Sequence, residues 1–202
     1  MKALGKGSVA SIAKVGLTLA WWALWVVLGA VALGAIGYGA LLSLISAGMI
    51  DASILTGGNG QISVGAGNGD YDLSYDNPGG ATWPVVVPAL LIGAVAIGGA
   101  LVIVGRLRAL FESFTSGEPF RRENAGHLRV IWITMLVIEV ARFILLGVVG
   151  AIFATMGAPE GAKANFHVNV DLSTWMSILI LIVLAEVFRE GARLKEEQEL
   201  TI

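Results

Sequence analysis

The chain has no cysteine, only two histidines and few charged residues, and each scarcity removes a class of function. Without cysteine it forms no disulfide, thiolate metal site, cysteine-ligated iron–sulfur cluster or cysteine nucleophile. His167 has no companion histidine in the loops expected outside, and His127 is the only other one, so a histidine-based metal site is not expected. Charged residues make up 14% of the chain and hydrophobic residues 56%, whereas soluble domains carry about a quarter charged residues. This composition indicates a membrane protein.

Four long apolar runs account for this composition. Residues 15–50 and 77–105 carry no charge, and residues 130–156 and 172–187 are largely apolar. A helix needs about 20 apolar residues to cross the roughly 30 Å of hydrocarbon. We therefore predict a single four-helix membrane domain over residues 1–202, with helices at about 13–48, 82–108, 120–156 and 172–198. The first run is too long for the roughly 7 to 15 apolar residues of a signal peptide, so we expect its helix to be retained.

The loops between these helices, at residues 51–81 and 157–171, contain short alternating patterns. Tyr71, Leu73 and Tyr75 alternate with polar residues after a Gly-rich stretch, which is typical of a β-hairpin. Residues 166–171 alternate similarly and predict a third strand. The predicted fold class is therefore an all-α membrane protein with four transmembrane helices and a small extracytoplasmic β-hairpin or three-stranded sheet. The aspartates of the first loop lack the Gly and the distal Glu of an EF-hand, so we expect strand faces and no metal site.

The distribution of lysine and arginine predicts the orientation. Three precede the first helix, none lies in the first loop, five lie in residues 106–129, one lies in the second loop and three follow position 188. Flanks rich in Lys and Arg stay in the cytoplasm. Both termini and the segment 106–129, named here the cytoplasmic elbow, are therefore expected inside. The net charge of −2 makes direct nucleic-acid binding by the chain unexpected.

The elbow combines an apolar stripe with a turn. Leu107, Leu110, Phe111 and Phe114 recur at helical spacing and predict a short amphipathic helix. The segment 115–119 then places a helix-stopping glycine before a proline suited to the start of the next helix. This pattern predicts a defined bend between the second and third helices.

Charged residues also occur within and after the last two helices. Glu139 and Arg142 lie three residues apart near the centre of the third, where unpaired charge is costly, so we expect an intramembrane ion pair. The alternative is a relay for protons or ions, although the first two helices supply no ionisable group to extend it. After position 185, charged residues recur on one face of the fourth helix, either as a self-paired helix end or as partners of the elbow.

Four motifs carry a resemblance to a known family. They are LFESF at 110–114, GEPF at 117–120, ENA at 123–125 and LAEVFREGARLKEEQELT at 184–201. Together they resemble the bacterial membrane family called domain of unknown function 2975. The resemblance implies a small four-span protein of the bacterial inner membrane without established enzymatic activity. Its members are often encoded beside a small helix-turn-helix regulator, which implies a membrane anchor or sensor partner for that regulator.

The motif residues suit partner binding better than catalysis, so we expect neither an enzyme nor a bound cofactor. An aromatic pair, a rigid turn and an acidic tail offer a surface to a basic DNA-binding protein. The candidate partner-binding residues are Phe111, Phe114, Gly117, Glu118, Pro119, Phe120, Glu123, Asn124, Glu186, Arg189, Glu190, Arg193, Glu196 and Glu197. The alternative is a small transporter or channel-like protein that uses Glu139 and Arg142. The expected partners are the lipid bilayer and the regulator, and association with further copies of the chain into an oligomer is an open alternative.

Overall fold

Four long helices dominate the computed structural model of the chain. The structure describes residues 9–51, 54–55, 61–65, 71–76, 83–116, 121–156, 162–166 and 171–199. Its helices are α1 (Val9–Ser46), α2 (Trp83–Thr115), α3 (Arg122–Met156) and α4 (Leu172–Glu199). All four are long and apolar enough to cross a membrane. The chain is therefore a multi-pass membrane protein whose helices contact the lipid bilayer.

The helices divide between two compact units. The first contains residues 1–28, 96–139 and 171–202, and the second contains residues 29–95 and 140–170. The stripe from Leu107 to Phe114, which the sequence predicted as a short separate helix, forms the last turns of α2. Those turns continue the helix past position 108 because no Gly or Pro interrupts the sequence until Gly117.

Local signals explain two of the helix ends. After α1, Gly48 adopts a φ of 70°, the Met49 N–H donates to the Leu44 carbonyl at 3.0 Å, and the Gly48 N–H donates to the Ile45 carbonyl at 2.9 Å. This is a Schellman motif, whose left-handed position favours glycine. Before α4, Asp171 Oδ1 accepts a hydrogen bond from the Ser173 N–H at 3.0 Å, as an N-cap does.

Three short strands lie in the second unit. They are β1 (Gln61–Gly65), β2 (Tyr71–Asp76) and β3 (Ala162–Phe166), arranged in the order β1-β2-β3. Both neighbouring pairs are antiparallel, and Leu73 lies opposite Val64 on one side and Ala164 on the other. That these strands lie outside the cell stays a prediction.

The fold-class prediction, an all-α membrane protein with a hairpin or three-stranded sheet outside, requires correction. It placed the third strand in residues 166–171, where large apolar residues alternate. The structure places β3 at Ala162–Phe166, so only Phe166 is shared, and Val168 and Val170 lie outside the described residues. The third strand was misplaced because its sequence, AKANF, carries only one large apolar residue and shows no apolar alternation. Its position follows from its pairing with β2. Alternation alone was the wrong signal for it.

The buried part of the first unit lies near the elbow. The side chains exposed by less than a tenth there include Leu110, Leu128 and Ala192, one each from α2, α3 and α4. Further from the elbow in the same unit, α2 and α3 approach closely at Gly99 and Ile138. A Cβ atom added to Gly99 would clash with Ile138 Cδ1, so the glycine leaves the room that this side chain occupies.

Candidate functional site

A buried hydrogen bond joins α2 to α3 at the elbow. The side-chain amide of Asn124 donates to Ser113 Oγ at 2.6 Å, and the Ser113 hydroxyl donates to the Leu110 carbonyl at 2.8 Å. Asn124 is 1% exposed and Ser113 6%. A hydrogen-bonded pair this deeply buried is costly to break, because each polar group is desolvated without water to replace its partner. We call Ser113, Asn124 and the aromatic stack described next the elbow joint.

Aromatic rings extend the elbow joint to α4. The rings of Phe114 and Phe188 stack with centroids 6.1 Å apart and planes 23° apart. Phe111 meets Phe114 edge to face at 5.8 Å. Such pairs contribute about 0.5–1.5 kcal/mol beyond the area they bury. Phe111 and Phe114, which the sequence predicted as partner-binding residues, are thus half-buried, and Phe114 already packs against the chain's own fourth helix.

Helix α1 is tied to the end of α2 by two further contacts. Lys14 Nζ lies 2.7 Å from Glu112 Oε1 in an exposed salt bridge. The Arg108 guanidinium sits 5.1 Å from the ring centroid of Trp21, within the range of a cation–π interaction. Trp21 also meets Trp25 edge to face at 5.9 Å. The sequence reasoning did not identify these contacts, since nothing in the separation between α1 and α2 indicates which residues meet.

The last turns of α4 carry a row of ion pairs along one face. Arg189 pairs with Glu186 three residues before it. Arg193 lies 2.7 Å from Glu190 and 3.5 Å from Glu197. The side chains of these five paired residues are largely exposed, at 47–69% of their surface. We call residues 186–199 the charged end of α4.

The predicted partner-binding residues therefore fall into three groups. Asn124, Phe111 and Phe114 belong to the interior or to its margin. Fully on the surface are Glu123, Glu186, Arg189, Arg193, Glu196 and Glu197, with Glu190 half-buried. Gly117, Glu118, Pro119 and Phe120 lie outside the described residues. Among the candidates that the structure describes, only the surface group is positioned to touch another molecule without opening the elbow joint.

Glu139 and Arg142 are both half-buried on α3. Glu139 Oε2 and Arg142 Nε are buried atoms, and both residues have interaction partners in the structure. The Arg142 guanidinium lies 5.1 Å from the ring centroid of Phe143. Burial of ionisable groups within a spanning helix is costly and usually has a structural or functional reason. Their predicted mutual ion pair stays a prediction.

Comparison with known proteins gives a family and no function. No curated protein and no solved structure matches the chain. One family model, described as a protein of unknown function (DUF2975), matches residues 74–202. The match includes α2, the elbow joint, α3, β3 and the charged end of α4. Since this is more than half of the sequence, the chain belongs to the DUF2975 family of proteins of unknown function.

Proposed function

We propose that the chain is a non-enzymatic membrane anchor or sensor partner for a small helix-turn-helix transcription regulator, in the bacterial inner membrane with both termini in the cytoplasm. The observation that carries the proposal is the exposed charged end of α4. The concentration of Lys and Arg near the elbow and both termini supports the orientation. Members of the family are often encoded beside such a regulator, which suggests the class of the partner.

The length of α4 supports a protruding docking element. Its 28 residues extend about 42 Å at 1.5 Å per residue, whereas the hydrocarbon core is about 30 Å thick. The excess is about two helical turns. Because Glu196, Glu197 and Gln198 are exposed and polar, the excess belongs at the C-terminal side of the helix, in water.

The elbow joint supports this role by holding the charged end in place. The stack of Phe114 on Phe188 packs α4 against α2 directly beside the first charged turn. A helix end fixed in this way loses little conformational freedom when a partner binds, which favours affinity. Its exposed carboxylates complement a basic protein surface and increase the rate of encounter with it.

The proposal is tested by co-expressing the full chain with the helix-turn-helix protein encoded beside it and purifying the pair in mild detergent. We expect the regulator to co-purify with the full chain and to be lost when the chain ends at Leu194. A double substitution, Glu196→Lys with Glu197→Lys, should weaken retention in a full-length chain. The matched control is Lys2→Glu with Lys6→Glu, which reverses two charges on the proposed cytoplasmic side, outside the charged end of α4.

Retention of the regulator by both the truncated and the charge-reversed chains would contradict the docking site. Absence of any complex between the two full-length proteins, in detergent and in nanodiscs, would contradict the proposed role. Correct folding of each variant is established first by a single monodisperse peak in size-exclusion chromatography.

The second candidate function is transport, and the burial of Glu139 and Arg142 within α3 favours it. A transport site needs ionisable groups that face a path through the membrane. If the chain transports protons or ions, Glu139→Gln abolishes flux in proteoliposomes and leaves regulator binding intact. Under the anchoring proposal, the same substitution leaves binding unchanged and wild-type proteoliposomes show no flux above empty vesicles.

A further inference from the structure

A groove lined by arginines runs between α3 and α4 within the first unit. One wall consists of α3 residues spaced three and four positions apart. The other consists of residues from two facing turns of α4. Its lining comprises Arg122, Ala125, Gly126, Arg129, Trp132, Ile182, Ala185, Glu186 and Arg189. A second pocket adjoins it, shares Arg122 and Arg189, and adds Glu190, Ala192, Arg193 and Glu196. We call the first of these the arginine groove.

The charge of the arginine groove is positive. Its lining contains three arginines and one glutamate, and that glutamate, Glu186, pairs with Arg189. The two remaining cations, Arg122 and Arg129, are both exposed on α3. Among the residues that the structure describes, neither is recorded in an ion pair with a carboxylate. Two guanidinium groups directed at one cleft attract an anion with several oxygen acceptors, and phosphate suits them best.

The arginine groove changes from charged to apolar along its length. Arg122 and Arg129 are seven residues apart, or about 10 Å along the helix, and Trp132 follows about 5 Å further on. On the opposite wall Arg189 lies at the charged end and Ile182 lies two turns deeper into α4. Small residues, Ala125 and Gly126, keep the floor open between them. A charged mouth that leads to an aromatic and aliphatic end matches an amphiphile and not a simple inorganic ion.

Position in the membrane favours the same ligand. The groove lies where α3 begins and where α4 passes from its apolar half into its charged end. With the orientation proposed above, such a change from apolar to charged residues belongs at the level of the cytoplasmic lipid headgroups. Basic pockets between transmembrane helices on the cytoplasmic side bind the headgroups of anionic lipids, and tryptophan concentrates at this interface. We propose that the arginine groove binds the phosphate of an anionic phospholipid, with Arg122 and Arg129 on the headgroup and Trp132 against the start of an acyl chain.

This inference is independent of any regulator, and its test uses the full-length protein alone. Protein delipidated in a neutral detergent is titrated with phosphatidylglycerol, cardiolipin or phosphatidylcholine, and bound lipid is counted by native mass spectrometry. We expect phosphatidylglycerol or cardiolipin to bind at least tenfold more tightly than phosphatidylcholine. Inorganic phosphate and glycerol 3-phosphate at the same concentrations separate a lipid headgroup from a free phosphate ligand.

Variants locate the site. Arg122→Gln with Arg129→Gln should reduce the preference for anionic lipid by roughly tenfold or more, since each basic residue near the surface adds roughly fivefold in affinity. Arg106→Gln with Lys195→Gln removes the same charge outside the arginine groove and should leave the preference unchanged. Replacement of Trp132 by Leu should weaken lipid binding and leave the selectivity between headgroups intact.

Three results would overturn the inference. Equal binding of phosphatidylcholine and anionic lipid by the wild-type protein would show that no anion site exists. This result is obtained without any substitution. Equal effects of the two double substitutions would show that net charge and not the groove attracts the lipid. Competition by inorganic phosphate at the concentration of the lipid would show that the occupant is a free anion.

Discussion

The elbow joint and the charged end of α4 lie in the same compact unit and in the same family match, yet they are built in opposite ways. The elbow joint holds a polar pair that is almost completely buried and an aromatic stack that connects two helices. The charged end holds ion pairs between neighbours on a single helix, in water. The sequence predicted residues of both regions as partner-binding, among them Phe114 and Asn124 in the elbow joint and Glu186 and Arg189 in the charged end.

Residues of the elbow joint hold helices together beneath a surface, whereas residues of the charged end form the surface itself. A buried hydrogen bond is expensive to disrupt because its groups are desolvated, whereas an exposed ion pair contributes little because water competes for both charges. Substitutions in the elbow joint should therefore reduce stability, and any loss of binding should follow from unfolding. Substitutions in the charged end should reduce binding while the fold persists.

The largest effect is expected from Asn124→Ala. It removes the donor to Ser113 Oγ and leaves space in a site that is 1% exposed, so the free energy of unfolding should fall by about 1–3 kcal/mol. Denaturant unfolding of the purified protein in a fixed detergent measures it. The double change Ser113→Ala with Asn124→Leu should recover part of the loss, because it removes both polar groups. An unchanged midpoint for Asn124→Ala would show that the buried amide does not hold the elbow.

A smaller loss is expected from Phe188→Ala. The substitution removes the stack on Phe114, and because both rings are half-buried the cost should be about 1–2 kcal/mol, less than for a fully buried phenylalanine. Val187→Ala is the matched control, since that neighbouring side chain is 55% exposed and its loss should be nearly neutral to packing within the protein. Equal destabilisation by the two changes would mean that lipid contacts on α4, and not the stack, stabilise this region.

The sequence predicts the helices and the family, but it does not distinguish the buried elbow joint from the exposed charged end. The helices are encoded by long apolar runs, whose length and composition decide the structure almost alone. The elbow joint depends on residues eleven and seventy-four positions apart that meet in space, Ser113 with Asn124 and Phe114 with Phe188. No spacing rule predicts such pairs without a packed structure. The arginine groove escaped notice for the same reason, because Arg129 and Trp132 are ordinary members of a helix until α4 is placed beside them.

A still smaller effect is expected from Glu112→Gln, which weakens the salt bridge to Lys14. The Glu112 side chain is 67% exposed, so the loss of unfolding free energy should not exceed about 1 kcal/mol. Adding Lys14→Met to Glu112→Gln should cost little more, because the interaction is already gone. Additive losses in this double-mutant cycle, measured by denaturant unfolding, would show that the two side chains act separately.

The smallest effect on stability is expected from Arg193→Ala, although this residue pairs with two carboxylates. Pairs three and four residues apart on an exposed helix contribute about 0.2–0.5 kcal/mol each, so the unfolding midpoint should barely move. Retention of the co-expressed regulator should fall instead, because the substitution removes the cation that holds the Glu190 and Glu197 carboxylates in place. If stability falls as far as in Asn124→Ala, the charged end supports the fold as the elbow joint does, and the distinction between the two regions fails.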